Sequence, residues 1–133
     1  MTGPRLSRRE LEARIAACQL DYRSVKARVA EVGFICEGSL VERWTRCGKP
    51  NCRCAEPVGR HGPYHQLSWK EHGRTVSRRL TADDARLYRE WIANRHQLDA
   101  LVNEMKALSR QAGQYLLDGA TMTVPAPDIP AGD

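Results

Sequence analysis

Three cysteines and a histidine fall within one short stretch, as Cys47-Gly48-Lys49-Pro50-Asn51-Cys52-Arg53-Cys54 and then His61. Thiolates and an imidazole at this density are the donors of tetrahedral zinc, whose bonds to them run about 2.0–2.3 Å. Gly48 and Pro50 can bend the chain so that Cys47 and Cys52 meet, and Cys54 follows from nearly the same place. Three thiolates packed this closely repel one another unless a cation lies between them. Arg46, Lys49 and Arg53 alongside favour the deprotonated sulfurs that a metal needs. The expected cofactor is Zn2+ on Cys47, Cys52, Cys54 and His61, with His65 or Cys36 as alternative fourth ligands. The competing readings are small buried thiols without a metal, and a thiol pair that closes to a disulfide on oxidation. Four protein ligands would leave no coordination position for water, so the ion would be structural. Its binding would then be folding energy for the segment around it.

Two helical arms are expected to flank this segment. The first opens at the capping box Ser7-Arg8-Arg9-Glu10. It carries Leu11, Ile15, Cys18, Tyr22, Val25, Val29 and Val32 at alternating steps of four and three, a heptad seam. Gly33 is the expected stop. The second opens at Thr81-Ala82-Asp83-Asp84 and carries Leu87, Trp91, Asn94, Leu98, Leu101, Met105, Leu108, Ala112 and Tyr115 in the same rhythm. Asn94, the polar exception, is of a type that can set register in a coiled coil. Between the arms the period shifts to two. Residues 39–45, 64–69 and 74–80 read as strands, with Glu71-His72-Gly73 as a hairpin turn.

The expected fold class is α+β: two long helices pairing as an antiparallel coiled-coil hairpin around a small three-stranded antiparallel sheet with a zinc knuckle. The expected division is a disordered N-terminus (1–6), a first helix (7–33), a β head (34–80), a second helix (81–117) and a disordered Pro/Ala/Gly tail (118–133). Pairing between two chains, a homodimer through the helices, is the rival to the hairpin.

With one Phe in 133 residues, a large core is excluded, and a metal or partner chain is expected to compensate. The odd count of five cysteines, the charged start without an apolar leader and the lack of a membrane-length run point to a reducing cytoplasm and no membrane. Residues 37–80 hold nine Lys/Arg against four Asp/Glu, so the whole net charge of +5 sits on the middle of the chain. Such a basic segment attracts phosphate backbones. The candidate contacts are Arg43, Arg46, Lys49, Arg53, Lys70, Arg74, Arg78 and Arg79. Trp44, Tyr64 and Trp69 could stack unpaired bases, although burial between sheet and arms is the expectation for all three. No Gly-rich phosphate loop, carboxylate pair or nucleophile–base pair is evident, and the chain is not read as an enzyme.

The runs Gly38-Ser39-Leu40, Cys47 to Cys54 and His61-Gly62-Pro63-Tyr64 resemble a family of small bacterial proteins of uncharacterised function, over roughly residues 38–108. That family shows G-S/T-L, then C-G-K-x-x-C-R-C, then H-G-P-Y-Y, on three strands followed by a long helix. His65 stands here where the family usually has a second Tyr. Members tend to lie near transposases and other mobile-element genes. The resemblance thus implies a DNA-linked role and a transposase or recombinase partner. The function expected is a zinc-stabilised nucleic-acid-binding accessory protein, with DNA ahead of RNA as ligand. The alternative is a coiled-coil protein-interaction adaptor whose zinc head is purely structural.

Overall fold

The computed structural model describes residues 5–55 and 59–122, without the side chain of Cys54. The expected disorder at residues 1–4 and 123–133 lies outside the described residues. The elements are α1 (Arg8–Ala30), β1 (Ser39–Thr45), a 3-10 turn (Arg53–Ala55), β2 (His61–Glu71), β3 (Arg74–Leu80) and α2 (Ala82–Leu117). The fold class is α+β. The chain divides into an arm unit, residues 1–31 with 100–133, and a head, residues 32–99, and the boundary falls inside α2.

In the arm unit α1 starts at the expected box. The Ser7 hydroxyl accepts from the Glu10 amide at 3.1 Å, and the Glu10 carboxylate accepts from the Ser7 amide at 2.7 Å. These bonds satisfy amides that the first turn leaves without helical partners. Leu11, Ile15, Cys18 and Val25 of the seam are buried, as is Leu101 on α2. Each buried Leu, Ile or Val stabilises by about 1.5–3 kcal/mol. The arm's polar contacts run in opposite order along the two segments. Arg28 pairs with Glu104 at 3.4 Å, while Thr121 donates to Glu12 at 2.7 Å and accepts from Arg8 at 3.0 Å. The Thr121 hydroxyl, ahead of Arg8, holds the Glu12 carboxyl below its ordinary range.

The end of α2 differs from the expected free tail. Gly119, at φ +117°, gives up its amide to Leu116, and the Ala120 amide reaches back to Tyr115. This is a glycine-terminated cap, in which a positive φ lets two amides turn back onto the last carbonyls. It folds Ala120 under Leu11 and Ile15, where it is buried, with Leu6 and Tyr115 packed around the cluster. Ala120 and Leu6 are therefore part of the core rather than of loose ends.

The head is a sheet of order β1-β2-β3, antiparallel throughout. His72 and Gly73 both take positive φ, 51° and 78°, in a two-residue turn joining β2 to β3. That twist matches paired strands. Partners across a ladder share a face, so the register sorts the side chains. Leu40, Glu42, His65, Leu67, Trp69, Arg74, Val76, Arg78 and Leu80 fall on one side. Glu42 there reaches Arg89 of α2 at 3.7 Å, so this side meets the helix. Leu67 is buried on it, and Ala85 is buried on α2. Thr81 caps α2 by accepting from the Asp84 amide at 3.1 Å.

Three expectations are corrected in the head. Helix α1 ends at Ala30 with Glu31 as its cap, so Gly33 is not the stop. Its lack of a side chain instead makes room for Asn94, whose amide would lie 3.2 Å from a Cβ there. Asn94 donates to the Phe34 carbonyl at 2.9 Å. It pins the segment after α1 to α2 rather than setting a helix register. Leu87 is exposed, because the first turns of α2 face inward through Ala85 and Tyr88. Tyr88 and Phe34 both lie edge-on to Trp91, at 5.0 and 5.4 Å between ring centres.

Candidate metal centre

Strand β1 ends at Thr45, and the chain returns at His61, which pairs with Thr45. The loop between them is thus clamped at its neck. Inside it the Cys52 amide bonds the Lys49 carbonyl at 3.2 Å and the Ala55 amide bonds the Cys52 carbonyl at 3.1 Å. The chain then passes so close to Arg53 that a Cβ on Gly59 would collide with the Arg53 carbonyl. These turns bring the donor atoms of Cys47, Cys52 and His61 within 4.8 Å of one another. The Cys52 sulfur lies 3.2 Å from His61 Nε2. Tetrahedral zinc holds its donors roughly 3.5–3.8 Å apart, so seating an ion would open the Cys52–His61 pair slightly and close any wider separation. Cys54 follows Cys52 by two residues in the 3-10 turn, and its side chain lies outside the described residues.

The register explains why His61 rather than His65 joins the cysteines. Arg43 pairs with Tyr64 but Thr45 with His61, so Gly62 and Pro63 together oppose Trp44. This one-residue bulge shifts His61 to the face of Arg43 and Tyr64, since a slip of one residue exchanges faces. Gly62 sits at φ +141°, and a Cβ there would lie 2.6 Å from the Arg43 carbonyl. His65 stays on the opposite face. Its Nδ1 is 3.9 Å from the Glu42 carboxylate and makes no hydrogen bond among the described residues. Cys36 is also elsewhere: its thiol donates to the Glu37 carbonyl at 3.4 Å. Burial first, and the Glu37 charge second, push that thiol above its ordinary pKa. A protonated thiol is a poor ligand. Neither alternative fourth ligand belongs to the cluster.

A family model described as Domain of unknown function (DUF6788) matches residues 7–90, more than half of the chain. The chain belongs to the DUF6788 family. The match takes in α1, the sheet, the cysteine loop and the first turns of α2. No curated protein and no solved structure matches the chain.

The second feature of this DUF6788 domain is the sheet face away from α2. Register places Ser39, Val41, Arg43 and Thr45 there from β1, His61, Tyr64, Gln66, Ser68 and Lys70 from β2, and Thr75, Ser77 and Arg79 from β3. No acidic residue is among them; Glu42 and Glu71 both fall on the other side. The Arg79 guanidinium lies over the Tyr64 ring, 4.3 Å from its centre. The Ser68 and Ser77 hydroxyls bond at 2.8 Å. Of the eight basic residues singled out in the sequence, Arg43, Lys70 and Arg79 share this open face. Arg74 and Arg78 belong to the opposite face, and Arg46, Lys49 and Arg53 are exposed on the cysteine loop. Trp44 was expected to be buried but is 56% exposed; it lies opposite the Gly62-Pro63 bulge, on the side of Glu42. The Tyr64–Arg79 stack was missed in the sequence, because only the pairing of β2 with β3 puts both on one face. Among the described residues no helix is long and apolar enough to cross a membrane.

Proposed function

We propose that this chain is a zinc-stabilised nucleic-acid-binding accessory protein, with DNA the leading ligand. The ion sits on Cys47, Cys52, His61 and Cys54, closes the coordination sphere and serves structure rather than catalysis. Thiolate ligation of this kind fits a reducing cytoplasm. The observation that carries the reading is a sheet face with Arg43, Lys70 and Arg79 and no acid. The Thr45–His61 pair joins that face to a loop bearing Arg46, Lys49 and Arg53. Locking the loop with a cation would make the two basic groups one surface. Contacts from it would be mostly to phosphate, which position a ligand without reading sequence. A transposase or recombinase is the partner proposed for such an accessory protein.

Salt titration of binding tests the reading. Each phosphate contact contributes about −0.7 to −0.9 to the slope of log K against log salt. Arg43→Ala with Arg79→Ala should flatten that slope, and Arg74→Ala should change it less because Arg74 lies on the opposite face. Equal affinity of wild type and the double variant in a gel-shift titration removes the proposal. A cobalt-substituted protein with thiolate absorption that weakens in Cys54→Ser would place that sulfur in the metal sphere.

A second reading has its own support in the arm unit. Leu20, Val102, Leu116 and Leu117 are exposed there, off the buried seam. We propose in this reading that the helices form an antiparallel coiled-coil hairpin whose outer face recruits a protein or a second copy as a homodimer. Sedimentation of wild type against Leu20→Glu with Leu117→Glu decides it. An unchanged monomer in both discards the homodimer.

A further inference from the structure

Resting on the nucleic-acid reading, we infer that the open sheet face takes a single strand, stacking a base on the Arg79–Tyr64 pair. A duplex hides its base faces in its own stack and offers chiefly phosphates and groove edges. A single strand exposes those faces, and proteins that hold it combine a cationic track with flat side chains. This face has both. The Arg79 guanidinium, already laid on the Tyr64 ring and itself exposed, is a preformed flat platform. Guanidinium planes and aromatic rings are what unpaired bases stack upon. Trp44 alternates with Arg43 and Thr45 and so falls on the other side of the sheet, outside this platform.

A depression of about 400 Å³ at the far end of β2 is lined by Ser39, Ser68, Lys70 and Thr75 of this face, together with Trp69 of the opposite side, Arg95 of α2 and Glu37. Its three hydroxyls and two cations suit phosphate and sugar, and the Glu37 carboxylate among them offsets one positive charge. Six residue steps along β2 lead from Tyr64 to Lys70, a span of roughly 20 Å. That equals about six nucleotides at the stacked rise of about 3.4 Å. The strand would run along β2 from the metal loop toward the His72-Gly73 turn, its stacked base at one end and backbone contacts along the remainder.

Fluorescence anisotropy with three labelled twelve-nucleotide probes, single-stranded DNA, single-stranded RNA and duplex DNA, tests the inference on the full chain. A single strand should bind at least about tenfold tighter than the duplex, and the two single-stranded arms show which sugar is preferred. Tyr64→Ala should weaken single-strand binding about 5- to 150-fold, the range for one lost stacking partner. Its salt slope should not change, because no charge is removed. Arg79→Lys, which keeps the charge but not the plane, should also weaken it. Arg79 is exposed, so that variant should keep wild-type melting and zinc content. Trp44→Ala, on the other side of the sheet, should bind single strand like wild type. Should duplex bind as tightly as single strand, with Tyr64→Ala and Arg79→Lys like wild type, the inference is overturned while the nucleic-acid reading stands. If no probe binds, both fall.

Discussion

Among the described residues, Leu11, Ile15, Cys18, Val25, Leu101 and Ala120 are the buried apolar side chains of the arm unit, whereas the head buries only Leu67 and Ala85. The arm is held by a periodic apolar seam, with caps at both of its helix ends. The head is held by strand ladders, one hairpin turn and the clamp of Thr45 on His61. A three-stranded sheet with so little buried surface is marginal alone. Under the proposed reading, an ion on Cys47, Cys52 and His61 would cross-link both sides of the neck and substitute for the core the head lacks.

The largest test is metal removal. Zinc in comparable peptides is bound with about 10–16 kcal/mol, more than a small head can lose. Chelation should abolish the head's strand signal and shift tryptophan emission, while most helical ellipticity persists. Loss of both signals in one transition would break the distinction between the units. Next in size is Leu101→Ala, which opens a cavity at a side chain only 1% exposed. It should destabilise the arm by about 2–5 kcal/mol without changing zinc stoichiometry. A fall in bound zinc would show that the head depends on the seam. The smallest is Ser7→Ala, which removes a cap worth about 0.5–2 kcal/mol. It should lower the helical melting temperature and leave tryptophan emission unmoved.

How far each unit could be read in advance follows the same contrast. In the arm, Ser7 and Glu10 announce the start of α1, and the alternation of four and three names its buried face. All of these signals lie within a few residues of what they determine. The glycine cap at Gly119 falls inside residues 118–133, whose Pro/Ala/Gly composition predicts disorder instead. In the head the strands and their turn follow from local periodicity and Gly73. Strand β2 is longer than the expected 64–69, running from His61 to Glu71 with the Gly62-Pro63 pair inside it opposite Trp44. A proline inside a strand is also the mark of a bulge, and that signal was available. Asn94 looked like a register residue because it stood on a seam; its partner, the Phe34 carbonyl, is sixty residues away in the chain.

The sequence by itself determined that α1 and α2 would be amphipathic helices with named caps, that three strands would lie between them, and that sulfur and imidazole donors would gather near residues 47–61. Those outcomes depend on dihedral preferences and repeat periods, which act over one or two turns of chain. Only the tertiary structure decided which side of the sheet each charge occupies, that His61 and not His65 meets the thiols, and that Trp44 stands in solvent. A ladder alternates every residue, and a single bulge reverses that alternation. The choice of face therefore rests on pairing between strands, which no local stretch contains.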